Sequence, residues 1–496
     1  MSKTLRIIQN TFVQGVSQLI TWGLSWVLLI VLPRKLGDAD FGKLFFAMSY
    51  GTIFSVFINL GVNLWLTREV AALRSETADL ANAGRQRLRA LLGNVLAMKI
   101  ALALGIYALQ SALIFLLPYD AATRTAVLIV GAATCLGALT LTLSGAFQGL
   151  EMMTIPNVGL VVEKVVVTVG CVALLERGFG LIPVCWVHLA ASAFDLLIVY
   201  VLLRRRIPFE WNFDAAQMRR IFLGGLPFLV WVVFGEIYVR IDVVMLSMMT
   251  SAAVVGWYGA AFRLYGSILF LPNLVCTTVF PALSRMGAAG QDDQVFGRAV
   301  SRIFRLMLFA AAPVAIGTVV VAEPIVHYLY GGKFGPVGPD LQIFGICMLL
   351  VSVDVVLGSV LIARGREKAW ACMAVAGAVF NPLMNLWMIP LAQRLYGNGG
   401  IGAAIATALT EALMMCGALW LIPRGLLERS LLAATLRAVG AAVAMGLVLH
   451  FLPVHNPLLL IAVGAPVYGA LALALGVLPR EDWLHVWHAI KRRREG

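Results

Sequence analysis

The densest group of charged residues within an apolar stretch lies in the segment GEIYVRID, residues 235–242. Glu236 and Arg240 are four residues apart, so on a helix they share a face in the order that favours an ion pair. Arg263 follows after a short turn, and Arg240 and Arg263 each lie about nine residues, or about 13 Å, from that turn. Two guanidinium groups at one depth could bind a diphosphate, because each planar fork matches phosphate oxygens. Alternatively, Glu236 neutralises Arg240. Asp242 would then neutralise Arg263, and these charges would only stabilise the hairpin.

Two lysines interrupt other apolar stretches. Lys99 lies about nine residues inside its stretch, and Lys164, next to Glu163, lies about seven residues inside its own, which corresponds to roughly 10 to 14 Å along a helix. An ammonium group at this depth could bind an anionic group such as a diphosphate. The alternative is that each side chain extends to the polar end of its stretch and binds no ligand.

Polar oxygens also stand within the apolar segment VFNPLMNLWMIP, residues 379–390. Asn381 and Asn385 are four residues apart beside a proline, which frees a backbone carbonyl. Amide, carbonyl and carboxylate oxygens could together bind a sodium ion or a proton, whereas hydrogen bonding between helices without an ion is the alternative. The candidates for ion coupling are Glu236, Asp242, Asn381, Asn385 and Glu411.

Other ionisable residues in apolar stretches have no assigned role. A charge in a bilayer costs about 2.5 to 3.5 kcal/mol, so each needs a partner, a solvated cavity or a function. The further acidic residues of this kind are Glu163, Asp195, Glu323 and Asp354. The seven cysteines form no CxxC pair, so they predict neither a disulfide nor a metal site. The sequence contains no phosphate-binding GxxxxGK[ST] loop, and we predict no catalytic residue and no cofactor.

The composition determines the environment of these residues. Hydrophobic residues make up 61% of the 496 residues and charged residues only 13%, whereas a soluble domain carries about 25% charged residues. Since one membrane span takes about 20 apolar residues, we predict an all-α integral membrane protein of about fourteen transmembrane helices. The predicted spans are 12–32, 43–66, 90–117, 125–147, 157–176, 181–203, 221–249, 255–281, 303–330, 340–363, 369–391, 400–422, 431–451 and 457–478.

Lysine and arginine residues concentrate in the connections on one side of these spans. Cytoplasmic connections carry the excess of basic residues, so we predict a multi-pass inner-membrane protein with both termini in the cytoplasm. The largest basic clusters are Arg204 to Arg206 and Lys491 to Arg494. Such clusters attract anionic lipid headgroups, so the net charge of +13 does not require a nucleic acid partner.

Three glycine-containing motifs recur in the two halves of the chain at a nearly constant separation. They pair Gly42 with Gly256, Gly149 with Gly365 and Gly180 with Gly400. Such repeats predict two six-helix lobes in the same orientation around a central cavity, followed by a final pair of helices. The predicted divisions are the amino-terminal lobe 1–203, a basic linker 204–220, the carboxy-terminal lobe 221–422, helices 13 and 14 in 423–478 and a basic tail 479–496.

Six segments together resemble the polysaccharide flippases of the multidrug/oligosaccharidyl-lipid/polysaccharide exporter superfamily. No single segment is specific, but their order and spacing are, and the resemblance covers nearly the whole chain. The segments are PRKLGDADFG, NLGVNLWLTREVAAL, RIDVVMLSMMTSAAVVGWYGAAFRL, VFPALSR, EPIVHYLYGGKF and NGGIGAAIATALTEAL.

The resemblance implies a flippase that moves polyprenyl-diphosphate-linked oligosaccharide from the cytoplasmic to the outer leaflet by alternating access. The product would serve a surface polysaccharide such as O-antigen or exopolysaccharide. Expected partners are sodium ions or protons, anionic lipids and proteins of polysaccharide polymerisation or assembly. A cation-coupled drug antiporter of the same superfamily is one alternative. A membrane-embedded glycan polymerase or ligase is another, although the outside connections are short for such an enzyme.

Overall fold

The computed structural model describes residues 3–76, 83–209, 211–288, 292–423, 425–428, 430–454 and 456–477. Apolar runs of spanning length form helices because a helix satisfies every backbone polar group internally. The helices in this part of the chain are α1 (Lys3–Leu36), α2 (Asp38–Asn59), α3 (Val62–Glu76), α4 (Ala83–Leu116), α5 (Ala121–Gly149), α6 (Thr154–Glu176), α7 (Leu181–Arg206), α8 (Ala215–Met249), α9 (Ala252–Ile268), α10 (Phe270–Ala288), α11 (Asp293–Tyr330), α12 (Val337–Ala363), α13 (Glu367–Tyr396), α14 (Gly399–Leu421), α15 (Ser430–Phe451) and α16 (Pro457–Ala474).

Thirteen stretches of the described residues are long and apolar enough to cross a membrane. They confirm the all-α membrane class, and each coincides with a predicted span. The remaining predicted span, 221–249, lies within α8, which is not among the thirteen. The basic tail 479–496 lies outside the described residues.

Two of the predicted spans are confirmed as spanning stretches but contain a break in the helix that the sequence did not predict. The span 43–66 is interrupted between α2 and α3, where Leu60 and Gly61 take left-handed conformations with φ of 48° and 67°. The span 255–281 is interrupted at Leu269, between α9 and α10. Pro272 stands in the first turn of α10, where its missing N–H costs least. Hydropathy gives no sign of either interruption, because the flanking residues remain apolar.

The helices repeat in order, since α1 to α7 correspond to α8 to α14. In the first series, α7 packs against α5 and α6, and α4 packs against α5. In the second series, α14 packs against α12 and α13, and α11 packs against α12. This agreement supports the internal repeat that the glycine motifs predicted.

The chain divides into two compact units, Met1–Gly256 and Trp257–Gly496. In the first unit, α8 packs against α2, α3 and α4. In the second unit, the final pair α15 and α16 packs against α11. The two six-helix lobes with a cavity between them stay a prediction.

Within the first unit, the amino-terminal turn of α2 crosses the amino-terminal turn of α9 at two glycines. A methyl group added at Gly42 would overlap the carbonyl oxygen of Ala252. A methyl group added at Gly256 would overlap the carbonyl oxygen of Asp38. Gly42 and Gly256 are the first pair of glycines in the repeat, so each repeat contributes the same residue to this close backbone contact.

Candidate functional site

The charges of the segment 235–242 lie on α8 in the first unit. Arg240 Nε is 3.8 Å from Glu236 Oε2, and their side chains are 29% and 38% exposed. The ion pair expected from their spacing is therefore present, but its length leaves Arg240 Nε without a hydrogen bond. Asp242, half a turn further, is buried with 3% exposure.

Arg263 lies on α9 in the second unit, where its charge acts on the hydroxyl of Tyr330 on α11. Because Arg240 and Asp242 belong to the first unit and Arg263 to the second, the diphosphate clamp and the pairing of Asp242 with Arg263 both stay predictions.

Lys99 on α4 is fully buried and donates hydrogen bonds to the residues on both sides of the break between α2 and α3. Its Nζ donates a hydrogen bond to the carbonyl oxygen of Asn59 at 2.8 Å and to Asn63 Oδ1 at 3.4 Å. The Asn59 carbonyl ends α2, so it has no intrahelical donor and carries the negative end of the helix dipole. Thr142 donates to the same Asn63 oxygen at 2.9 Å. The side chain of Lys99 is 0% exposed, so it does not extend to a polar surface.

Lys164 lies on α6 and is half-buried. It makes no hydrogen bond and no ion pair with the residues that the structure describes. Its neighbour Glu163 instead accepts a hydrogen bond from the Ser192 hydroxyl of α7 at 3.3 Å. Lys164 therefore keeps its donors available for another group.

In the second unit, two predicted asparagines and an acidic pair lie buried on α12, α13 and α14. Asn385 Nδ2 donates to Asn381 Oδ1 at 3.0 Å, and both side chains are 0% exposed. Glu411 on α14 lies close enough to Asp354 on α12 for the charges of the two carboxyl groups to interact, with exposures of 7% and 4%. Both oxygens of Asp354 lack a hydrogen-bond partner among the described residues, and two neighbouring buried carboxyl groups ionise together only at a large cost.

Asp354 was not among the predicted ion-coupling residues. Its sequence signal was only that of an acidic residue in the middle of an apolar stretch. The pairing with Glu411 depends on which faces of α12 and α14 meet, and a single sequence does not determine helix rotation. The carboxyl pair nevertheless gives the second unit a place that can take up and release a proton.

A cavity of about 380 Å³ opens beside the crossing of α2 and α9 in the first unit. Lys43 Nζ pairs with Asp120 Oδ2 at 2.6 Å, and the hydroxyls of Tyr119 and Ser247 are 2.7 Å apart. Partial burial acts to raise the pKa of Asp120, but hydrogen bonds from Lys43 and Thr123 outweigh it and lower the pKa from 3.8 to about 2. These four polar side chains of the cavity thus form ion pairs and hydrogen bonds with one another.

Comparison with known proteins identifies the family. The family described as "Polysaccharide biosynthesis protein" matches residues 7–287. The family described as "Lipid II flippase MurJ" matches residues 165–463. The chain belongs to the polysaccharide biosynthesis/MurJ family. This is a family of flippases in a superfamily of transporters, not of enzymes, and the resemblance seen in the sequence is confirmed.

Two curated relatives come from Haloferax volcanii. The chain is 26% identical over 254 residues to a "Probable flippase AglR", covering 49% of the chain and 52% of the relative. It is 27% identical over 178 residues to a "Probable low-salt glycan biosynthesis flippase Agl15", covering 36% of each. The matched segments therefore span between about a third and a half of these relatives.

Solved structures confirm the fold over most of the chain. A structure of "Lipid II flippase MurJ, inward closed conformation" has a TM-score of 0.75 at 13% identity and covers 95% of this chain and 99% of that one. An inward-facing multidrug resistance transporter of the MATE family has a TM-score of 0.61 at 14% identity, covering 81% and 93%. The chain is thus a multi-pass membrane protein with the MurJ/MATE-like fold.

Proposed function

We propose that this protein moves polyprenyl-diphosphate-linked oligosaccharide from the cytoplasmic to the outer leaflet of the inner membrane, for a surface polysaccharide such as O-antigen or exopolysaccharide. The observation that carries the proposal is membership in a flippase family, joined to a fold like that of a lipid II flippase over nearly the whole chain. Alternating access between two lobes would move the headgroup, and both termini would lie in the cytoplasm, as the basic connections predict.

Arg240 and Arg263 are the proposed contacts of the diphosphate, with Lys164 as a further cation. Arg240 supports this role because its ion pair with Glu236 is long and leaves Nε without a hydrogen bond. A phosphate oxygen accepts strong hydrogen bonds from a guanidinium group. The diphosphate of the cargo can therefore accept the hydrogen bond that Arg240 Nε does not donate to Glu236. Lys164 supports it by lacking a partner among the described residues.

The test is flipping in proteoliposomes that contain a fluorescent polyprenyl-diphosphate-linked saccharide. Flipping exposes the label to an impermeant quencher, and its rate is compared between the parent protein and the variants Arg240→Gln and Arg263→Gln. We expect each variant to slow flipping at least about tenfold, the effect of losing roughly 1.4 kcal/mol of binding. Arg298→Gln is the control, because Arg298 is exposed on α11. Parental rates in both variants would remove Arg240 and Arg263 from the mechanism, and no flipping by the parent protein would refute the proposal itself.

We further propose that the Asp354 and Glu411 pair, with Asn381 and Asn385 nearby on α13, couples transport to a proton. Two neighbouring buried carboxyl groups favour a proton on one of them, because like charges repel strongly where water is excluded. A pH gradient across the proteoliposome should accelerate flipping by the parent protein but not by Glu411→Gln. A response of the parent to a sodium gradient alone would instead assign the site to sodium.

A drug antiporter is the second candidate, because the MATE transporter compared above shares the fold. The two functions differ in their dependence on Arg240 and Arg263, since a site for cationic drugs gains nothing from added positive charge. Binding of a cationic dye that is unchanged or strengthened in Arg240→Gln, together with an absence of flipping, would favour the antiporter.

A further inference from the structure

The first unit contains a second pair of acidic residues, one buried and one half-buried, that the proposed mechanism does not use. Asp195 lies on α7 and is 7% exposed. Glu163 lies on α6, which packs against α7, and the charges of the two carboxyl groups interact. A buried carboxylate beside a second carboxylate ionises at an added cost, because the first has lost its contact with water and the two like charges repel.

The backbone of α6 is shaped to receive the carboxyl group of Asp195. Gly159 lies one turn before Glu163, and a methyl group added at Gly159 would overlap Asp195 Oδ1. The carboxyl group of Asp195 therefore fits into a notch of α6 that only glycine provides. That notch places the carboxyl next to Glu163, on the following turn of the same helix.

The hydrogen bonds around the pair are incomplete. Glu163 Oε1 accepts from the Ser192 hydroxyl at 3.3 Å, whereas Asp195 Oδ1 is buried and has no donor among the described residues. Lys164, adjacent in sequence, forms no ion pair with either carboxyl group within the described chain. A proton on Asp195 would remove its charge and with it the repulsion from Glu163.

Among the described residues, the charges on the helices packed against α6 and α7 lie near helix ends. On α1, which packs against α6, they include Arg34 and Lys35 in the last turn, and Lys35 pairs with Glu176. The charged residues of α5 and α2 lie near their amino-terminal ends, away from the middle of α7. They are Arg124 on α5 and Asp38, Asp40 and Lys43 on α2. His188 on α7 itself lies two turns before Asp195.

The second unit contains an acidic site at the corresponding position of the repeat. The helices α6 and α7 correspond to α13 and α14. Asp195 lies about four turns after the N-cap Gly180, and Glu411 lies about four turns after the N-cap Asn398. Glu163 likewise corresponds to the region of Asn381, in the middle of α13. Each unit therefore buries a carboxyl group at the same place in its helix pair.

We propose that Glu163 and Asp195 form a proton-binding site in the first unit, separate from the Asp354 and Glu411 pair of the second. The site takes one proton from water onto one of the two carboxyl groups, which removes the repulsion between them, and releases it when the pair ionises. A proton needs a single carboxyl oxygen, whereas a sodium ion needs several oxygen ligands at once. The binding of a proton here does not depend on the identity of the cargo.

The test is a pH titration of the purified full-length protein in lipid nanodiscs by infrared difference spectroscopy. The carboxyl C=O stretch reports protonated groups, and no glycan is added, so the result is independent of the flipping assay. The titration uses the Asp340→Asn, Asp354→Asn, Glu411→Gln background, because Asp340, Asp354 and Glu411 are the buried carboxyl groups among the described residues of the second unit. We expect this background to retain one protonated carboxyl above about pH 6, where exposed carboxyl groups are ionised.

Asp195→Asn and Glu163→Gln should each abolish that remaining signal, and Gly159→Ala should shift its midpoint, because the added methyl group displaces Asp195.

Glu367→Gln is the control, since Glu367 is exposed on α13, and it should leave the signal unchanged. Folding is verified for each variant by its thermal melting profile. The proposal is overturned if the background shows no protonated carboxyl, if the signal survives Asp195→Asn, Glu163→Gln and Gly159→Ala unchanged, or if sodium chloride removes it where choline chloride does not.

Discussion

At the scale of single residues, the most informative side chain is Lys99. A lysine in an apolar stretch is costly, yet this one is fully buried and has no carboxylate partner in the part of the chain that the structure describes. It compensates by donating to the final carbonyl of α2 and to Asn63. The position of Lys99 could be predicted from the sequence, but its partner could not, because the α2 terminus exists only through the interruption at Leu60.

Lys99→Met should therefore lower stability. The substitution leaves the Asn59 carbonyl buried without a donor, which costs about 1 to 3 kcal/mol. The melting temperature in detergent should fall relative to the parent. Lys164→Met is the matched control, since Lys164 has no hydrogen bond among the described residues and should change stability by less than about 0.5 kcal/mol. Equal melting temperatures for the two variants would show that Lys99 does not support the interruption.

The ion pair of Asp120 predicts how the stability of the protein changes at acidic pH. Its pKa is lowered in the folded protein from 3.8 to about 2, so its stabilising effect is complete above pH 3.8 and is lost as the pH falls toward 2. The difference in stability between the parent protein and Asp120→Asn should therefore shrink over this range. Melting curves recorded at several acidic pH values measure the difference. A difference that stays constant down to pH 2 would show that the Lys43 pair contributes nothing.

At the scale of helices, the close crossing of α2 and α9 depends on two glycines. Gly42→Ala or Gly256→Ala should destabilise the protein by about 1 to 3 kcal/mol, the usual cost of overpacking, because neither backbone can move away without shifting its helix. Gly266→Ala on α9 is the control, since nothing lies within 4 Å of a methyl group there. It should be neutral or stabilising, because alanine favours a helix more than glycine does. Thermal stability that changes in the same direction for all three variants would contradict this assignment.

At the scale of the whole molecule, the sequence predicted the fold class and the place of nearly every helix. Apolar stretches of spanning length are long, so the position of each span is predicted correctly even where its end residues are not. The acidic pairs were less predictable. Glu163, Asp195, Asp354 and Glu411 were each visible as acids in apolar stretches, but their pairing is set by helix rotation and by notches such as Gly159.

The proposed cargo also makes a prediction for the molecule as a whole. A diphosphate carries about two negative charges, and each gains about 2.3 kcal/mol per 100 mV on moving outward from an inside-negative compartment. Flipping by the parent protein should thus accelerate when a potassium gradient and valinomycin set this potential in proteoliposomes. The rate under the opposite potential is the control. Rates indifferent to the potential and to ion gradients would argue against a charged headgroup as the transported species.

The crossing of α2 and α9 has one more consequence. Gly42 contacts the carbonyl of Ala252, four residues before Gly256, and Gly256 contacts the carbonyl of Asp38, four residues before Gly42. The two helices therefore use the same surface, so the contact is isologous, as in a two-fold homodimer. Neither glycine can therefore change without its counterpart losing the fit.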